Sequence, residues 1–414
     1  MRRVSSSTAN NDVQYNLRMQ ESKINKVNNQ LGSQNRIQEL RDDPLAAGHL
    51  VRYQSYNGRV EQFEKNAQVI SDDYSITEGY INNSVQVMHR IRELAVTGAN
   101  GIYTPEDLRN MAVEVDQLLK NLIDNANAVG PEGNRIFAGT RTSNIAFEVD
   151  VGHVEGSANP LVTAVRYNGS LGQNKLEVDE QTSISLDKSG NTIFWAERQT
   201  LISNTDAKSY IAKENSSFNL NGTTINVSRG DNVYAIASKI NSSGVPVKAS
   251  IDPVTNGLDL TTTDSRQLWL EDLNGTTLNE LGLIKDSSQL PPYNLSDSVR
   301  VSGGSIFDSV IALRNSMLSG DSEAIGSRVL ASIDNGLNNL ITHEAKIGSD
   351  YERAQQYIAK AQTNQLTSTS LIAREGDLDF TQAITDMKML EYVKQATLNT
   401  ASNLYDNTLL NYLR

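Results

Sequence analysis

The chain has 414 residues, of which 38% are hydrophobic, 6% aromatic and 21% charged, and its formal charge is −12. That length suggests two or three domains, and so few aromatics favour helical seams and thin sheets over one large core. The acidic balance argues against nucleic acid as a partner, and the absence of cysteine excludes disulfides, thiol nucleophiles and thiolate metal sites.

The opening "MRRVSSSTANNDVQYNLRM" has two arginines but no apolar stretch behind them, so no cleaved signal peptide is expected. No apolar run is long enough to span a bilayer, and membrane insertion is not expected either. Val13, Leu17, Ile24, Val27 and Leu31 fall on alternating heptad steps, with Gln20 filling one seam position. A second helical stretch carries Tyr80, Ser84, Val87, Ile91 and Leu94, and a third carries Leu108, Met111, Val115, Leu118 and Leu122, continuing to Val129. Between them "TGANG" interrupts the pattern and Thr104-Pro105 restarts it, as an N-cap followed by proline at the first helical position.

Between the first two stretches lies "LRDDPLAAG", with Asp42, Asp43 and Pro44 side by side. Two adjacent carboxylates suit a metal or acid–base chemistry only if further ligands accompany them, and no histidine or glutamate cluster does. The alternative is a joint. A residue before proline is biased away from helix, so the preceding helix ends there, Asp43 becomes an N-cap and Pro44 opens the next helix. Both carboxylates are then expected at the positive end of the new helix dipole.

From about Asn134 to Gly304 the period changes to short alternating runs separated by turn residues. "VRYNGSLGQNKLEVDEQTSISLDKSGNTIF" predicts a β-meander with turns at Asn168-Gly169 and Gly190-Asn191. "FNLNGTTINV" predicts a hairpin about Asn221-Gly222. "DNVYAIASKIN" predicts a helix capped by Asp231, with Val233, Ile236 and Ile240 on one face, and "VKASID" and "LDLTTT" form a second hairpin. The result is a ββαββ unit over about Ser217 to Thr263. Glu177 and Asp179 share one face of a strand, as a glycosidase pair does, but alternate with Leu176 and Val178 and so read as the solvated face of an amphipathic strand.

Proline is absent after Pro292. Tyr351, Ala354, Ile358, Ala361, Gln365, Ser368 and Ile372 keep heptad spacing, and Leu398, Ala401, Tyr405, Leu409 and Tyr412 form a final stripe. One or two long helices are expected here, broken near "REGDLDF". The fold class is therefore α+β: a long antiparallel helical bundle or coiled coil built from both termini, with an inserted β-rich domain. The expected segments are an axial helix over 1–42, bundle over 43–144, the insert over 145–304 (a meander over about 145–210, the ββαββ part over 211–300), bundle again over 305–373, and a second axial helix over 374–414.

His49, His89, His153 and His343 lie far apart, and no phosphate-binding, dinucleotide-binding or serine-hydrolase motif occurs. No catalytic residue, metal or cofactor is expected.

"GSQNRIQELRDDPLAAGHLVRYQS" resembles the segment joining the two N-terminal helices of bacterial flagellins and their junction proteins. "RIRELAVTGANGIYTPEDLRNMAVEVDQLLKNLIDNAN" is similar to the helical hairpin of that superfamily. "GNRIFAGTRTSNIAFE", with its Phe-Ala-Gly-Thr stretch, the "RYNGSLGQNKLEVDE" block and the ending "NTLLNYLR" resemble its hook-associated junction proteins more than flagellin. "FNLNGTTINVSRGDNVYAIASKIN" resembles a small β insert found in both.

The resemblance implies a non-enzymatic structural protein of the bacterial flagellum, exported through the flagellar type III apparatus without a cleaved signal peptide. It implies a ring of identical subunits joining hook to filament. A neighbouring hook-associated junction protein would lie on one side and flagellin on the other, and a cytoplasmic export chaperone would hold the free chain. The apolar stripes then become subunit interfaces: Val13, Leu17, Ile24 and Leu31 at one end, Leu398, Ala401, Tyr405, Leu409 and Tyr412 at the other. The alternatives are a filament subunit with the same ends and, more remotely, a secreted carbohydrate-active enzyme with helical anchors.

Overall fold

A computed structural model describes residues 6–289 and 291–410. The helical start comprises α1 (Ser6–Ser33), α2 (Pro44–Ala99) and α3 (Pro105–Ala126). The middle runs through β1 (Phe147–Gly152), β2 (Leu161–Tyr167), β3 (Lys175–Asp179), β4 (Thr182–Ser185), the short α4 (Gly190–Ile193) and β5 (Thr200–Ile202). It continues with β6 (Ser216–Leu220), β7 (Thr223–Val227), α5 (Val233–Ser242), β8 (Val247–Ile251), β9 (Leu258–Thr262), β10 (Leu270–Asn274), α6 (Thr277–Glu280) and β11 (Arg300–Ser302). The chain closes with α7 (Ile306–Ser319), a single turn α8 (Ser322–Ala324), a π turn at Ile325–Val329, α9 (Leu330–Gly376) and α10 (Phe380–Leu410). The fold is α+β, with helices at both ends and a β-rich middle. It separates into two compact units, one formed up to Lys65 and from Ile358 onward, the other by Asn66–Tyr357.

In the larger unit α2, α3, α7 and α9 form a bundle. Arg92 of α2 reaches Asp334 of α9 at 2.6 Å, Arg90 reaches Glu114 of α3 at 2.8 Å, and Ser309 of α7 meets Ser332 of α9 at 2.6 Å. The α3 start carries the full reciprocal cap: Thr104 accepts from Asp107 N while Asp107 accepts from Thr104 N, with Pro105 at the first turn. Ser305 and Asp308 repeat that device at the start of α7.

The buried stripes are wider than the expected heptad seams. Ser84, Ile91 and Leu94 are buried, but so are Ile81, Val85 and Met88, whereas Tyr80 and Val87 are only half-buried. On α3 the buried residues include Leu108, Ala112, Val115, Leu119, Leu122 and Ile123, with Met111 and Leu118 at the margin and Val129 exposed beyond the helix. A bundle helix is covered from two sides, and a two-residue seam becomes a broad face.

After residue 304 the expectation of one or two helices needs correction, since α7, α8, the π turn, α9 and α10 follow one another. Gly320, at φ 75°, adopts the left-handed conformation that stops α7. The break between α9 and α10 does fall within Arg374–Phe380. All the expected α9 positions from Tyr351 to Ile372 are buried or half-buried.

In the β region, β1 and β2 pair antiparallel, as do β3 and β4. Gly190-Asn191 is not a β-turn: Ser189 caps a helical turn there, its hydroxyl accepting from Asn191 N. Phe137, Phe147, Phe194 and Phe307 pack ring against ring beneath these strands, all fully buried. The ββαββ order appears as β6–β7–α5–β8–β9. Asn221 and Gly222 both have positive φ, which is the hairpin conformation that Asn-Gly favours. Its two hairpins join different sheets, β10-β6-β7 and β11-β5-β9-β8, around a core that includes Phe218, Ile225, Ile236, Ile240 and Leu260. The cap of α5 is Asn232, which accepts from Ala235 N. Asp231, one residue earlier, accepts from Ser228 N and pairs with Lys239 instead.

Candidate assembly interface

The smaller unit has few buried apolar side chains. Its helices α1 and α10 run antiparallel, and the residues of α1 turned toward α10 are Val13, Leu17, Gln20, Ile24, Val27 and Leu31, all half-buried. The opposing residues are Ala383, Met387, Leu390, Lys394, Thr397 and Ala401. Their spacing of 4, 3, 4, 3, 4 is a heptad seam, but a lysine and a threonine stand where apolar residues are looked for. That is why the sequence stripe begins at Leu398, which is exposed (47%), and meets the seam only at Ala401. The side chains of Tyr405 and Leu409, and the whole of Tyr412, lie outside the described residues.

Polar groups fix the pairing of the two helices. Gln20 Nε2 donates to Thr397 Oγ1 at 3.0 Å, and Lys394 meets Glu21 at 3.1 Å. The Oε1 of Gln20 is buried without a partner, so this seam gives up stability at its centre. Polar residues at seam positions specify register at a cost in strength.

The two helix breaks meet each other. Gln34 takes φ 62°, turning the chain after α1. Arg36 N donates to Gly376 O at 2.8 Å, Leu378 N donates to Gln34 O at 3.1 Å, and the Arg36 guanidinium donates to Glu375 O at 2.8 Å. A Cβ at Gly376 would lie 3.1 Å from Leu50 Cδ2, so a side chain there would press on Leu50.

Asp43 caps α2 through Ala46 N at 3.1 Å and accepts from Arg36 at 3.3 Å. These interactions hold its carboxyl below the usual range. Asp42, expected at the same helix end, turns away from it. Its carboxylate accepts from Lys26 of α1 at 2.7 Å and from the backbone N–H groups of Gln38 and Glu39, and its pKa falls to about 2. The two aspartates thus tie down opposite sides of the joint.

Outside the seam, α10 exposes Phe380, Ile384, Met389, Tyr392, Val393 and Leu398. At about 100° per residue these side chains point to every side of the helix except the one against α1. Tyr15 and Met19 of α1 are exposed as well. Large apolar side chains thus lie among polar ones on several sides of α10, and among the described residues only the side against α1 is covered. Among the described residues there is no cluster of three metal-ligating side chains, and no helix is long and apolar enough to cross a membrane.

Paired terminal helices with a β-rich insert between them place the chain in a defined class of α+β proteins. Residues 4–142 match the bacterial flagellin N-terminal helical region, and residues 215–264 match the flagellin hook IN motif. In these two segments the chain is similar to proteins of the flagellin superfamily. It is 37% identical over 89 residues to the flagellar filament 31.3 kDa core protein of Treponema maltophilum, covering 22% of this chain and 31% of that protein. It is 28% identical over 266 residues to a flagellin of Salmonella muenchen, covering 62% and 50%. Against flagellar hook-associated protein 3 of Escherichia coli it is 23% identical over 169 residues, covering 41% and 49%. The chain thus spans half or less of the length of these curated relatives.

Several solved structures are similar to it. The flagellar hook associated protein-3 of Legionella pneumophila has a TM-score of 0.46 at 17% identity, covering 78% of this chain and 97% of that one. Bacillus cereus FlgL has a TM-score of 0.42 at 13% identity, covering 78% and 99%.

Proposed function

We propose that this protein is a structural subunit of the bacterial flagellum that forms a ring at the junction of hook and filament. The axial segments 1–42 and 374–414 supply the contacts between subunits, through Val13, Leu17, Ile24 and Leu31 and through Leu398, Ala401, Tyr405, Leu409 and Tyr412. A hook-associated junction protein lies on one side of the ring and flagellin on the other. Before assembly the chain is held by a cytoplasmic chaperone and exported without cleavage, and it has no enzymatic role. The observation that carries this reading is the apolar surface of α10, which has one covered side within the chain and exposed large side chains on the others.

Tyr392→Asp tests it. Tyr392 is 76% exposed in the free chain, so the variant should melt with wild type. In a lattice of packed helices the new carboxylate loses its water, and assembly should fail. Cells carrying the variant should build hooks and release flagellin into the medium. Normal filaments on those cells would refute the reading.

A second reading is a filament subunit, favoured by the higher identity to the Treponema filament protein over the matched segment. Its mark is that the purified chain polymerises by itself into long filaments.

A further inference from the structure

Within the larger unit lies a cavity of about 280 Å³, walled by the stretch Ser185–Ile193, by Arg266 and by one face of α9. Its charges are sorted by position. At one end Lys188 is buried against the ring of Tyr74, 3.6 Å from the centroid, and its ammonium reaches Asp73 at 3.2 Å. Asp187 and Asp350 also line this end and act on the same ammonium. Three carboxylates therefore stand near two cations, Lys188 paired with Asp73 and Arg353 at 3.6 Å from Asp350, which leaves a surplus of one negative charge.

The other end has the opposite sign. His343, Lys346 and Arg266 line it, and Arg266 is held by Asp264. Lys346, one turn along α9 from His343, makes no ion pair among the described residues. Burial, Lys346 and Arg266 together push the His343 pKa down to about 4, so this imidazole is neutral at pH 7 and keeps an N–H to donate. Lys346 and Asp350 are four residues apart on α9, a spacing that puts a cation and an anion on one helix face about 6 Å apart.

We propose that this cavity binds a small zwitterion of the α-amino-acid type. Its carboxylate lies against Lys346, Arg266 and the His343 N–H, and its ammonium lies between Asp187 and Asp350. A simple anion would meet the two carboxylates, and a simple cation would meet the two basic side chains. A ligand carrying both charges a few ångströms apart satisfies each end. Tyr74, Leu171, Ile193 and Ile347 supply the apolar wall against which its side chain rests. The site is separate from the terminal helices and does not depend on the assembly role.

The test is titration of the full chain with L-alanine, followed by amide and His343 imidazole chemical shifts, with acetate and methylammonium as single-charge controls. Alanine should saturate in the millimolar range or tighter and bind at least tenfold more tightly than either control. Lys346→Gln and Asp350→Asn, both on the face of α9 that walls the cavity, should each weaken alanine at least tenfold while the far-UV spectrum stays unchanged. Acetate binding as tightly as alanine would overturn the proposal in favour of an oxyanion site. No saturable shift in the wall residues with alanine, or variants that bind like wild type, would overturn it outright.

Discussion

Arg314 is fully buried and lies 2.8 Å from Asp116, joining α7 to α3 through the interior of the bundle. Its other nitrogens donate as well: Nη2 reaches Val162 O at 2.7 Å and Asn315 Oδ1 at 3.0 Å, and Nε reaches Asn315 Oδ1 at 3.2 Å. One side chain thus ties two bundle helices to β2. Arg314→Ala leaves Asp116 with Lys120 alone and should cost about 3–5 kcal/mol in chemical denaturation of the full chain. A loss below about 1 kcal/mol would mean that the bundle closes without this pair.

The cap at the start of α7 can be removed by itself. Ser305→Ala deletes the hydroxyl that accepts from Asp308 N and donates to Asp308 Oδ2. A loss of about 0.5–2 kcal/mol is expected from denaturant midpoints. Burial already raises the Asp308 pKa, and the serine hydroxyl opposes that rise. The variant should therefore titrate Asp308 at still higher pH, which carboxyl NMR reads directly.

The joint should depend on pH in a defined window. Lys26 and the two backbone donors stabilise the charged form of Asp42, so its folded pKa of about 2 lies below the ordinary 3.8. Its contribution is present above pH 3.8 and is lost as the pH falls through about 2. Water screens this exposed pair, so protection of the Gln38 and Glu39 amides should weaken in acid while the larger unit keeps its own. Asp42→Asn should show the acid behaviour at neutral pH. Unchanged Gln38 and Glu39 exchange in that variant would count against the joint.

Much of this was legible because local pattern and final environment agree. The α9 stripe from Tyr351 to Ile372 keeps one side buried along its length, and so did the seven-residue count. The Asn221-Gly222 hairpin is decided by the backbone preference of two residues. The α10 seam was not legible, because Lys394 and Thr397 interrupt it and Leu398, beside them, is the apolar residue that faces outward. Nor could a seam count anticipate Ile81, Met88 or Leu119, which are buried by a second neighbour. Arg36 finds Gly376 across 340 residues, and no local rule joins them. The charged cavity is hidden for the same reason, since its walls come from six separate stretches.

The polar centre of the terminal seam gives the next expectation. Gln20→Leu replaces a buried amide lacking one partner with an apolar side chain and should strengthen the α1–α10 pair by roughly 1 kcal/mol. Slower amide exchange along α1 in the free chain is the measurement. If the same residues must later exchange partners in the assembled ring, the variant should also incorporate more slowly. Faster incorporation would refute that link.

The ladder between Gln34–Arg36 and Gly376–Leu378 makes the two chain ends share a ruler. Each seam is counted outward from this fixed mark, backward through α1 and forward through α10. Inserting one residue between Leu378 and Ala383 would rotate every following side chain of α10 by about 100°, lifting Ala383, Leu390 and Ala401 out of the seam together. A compensating change would have to arise between the ladder and Leu31, more than 340 residues away in the gene. Length drift in these two short intervals is therefore coupled, while the loops of the β region are free of that constraint.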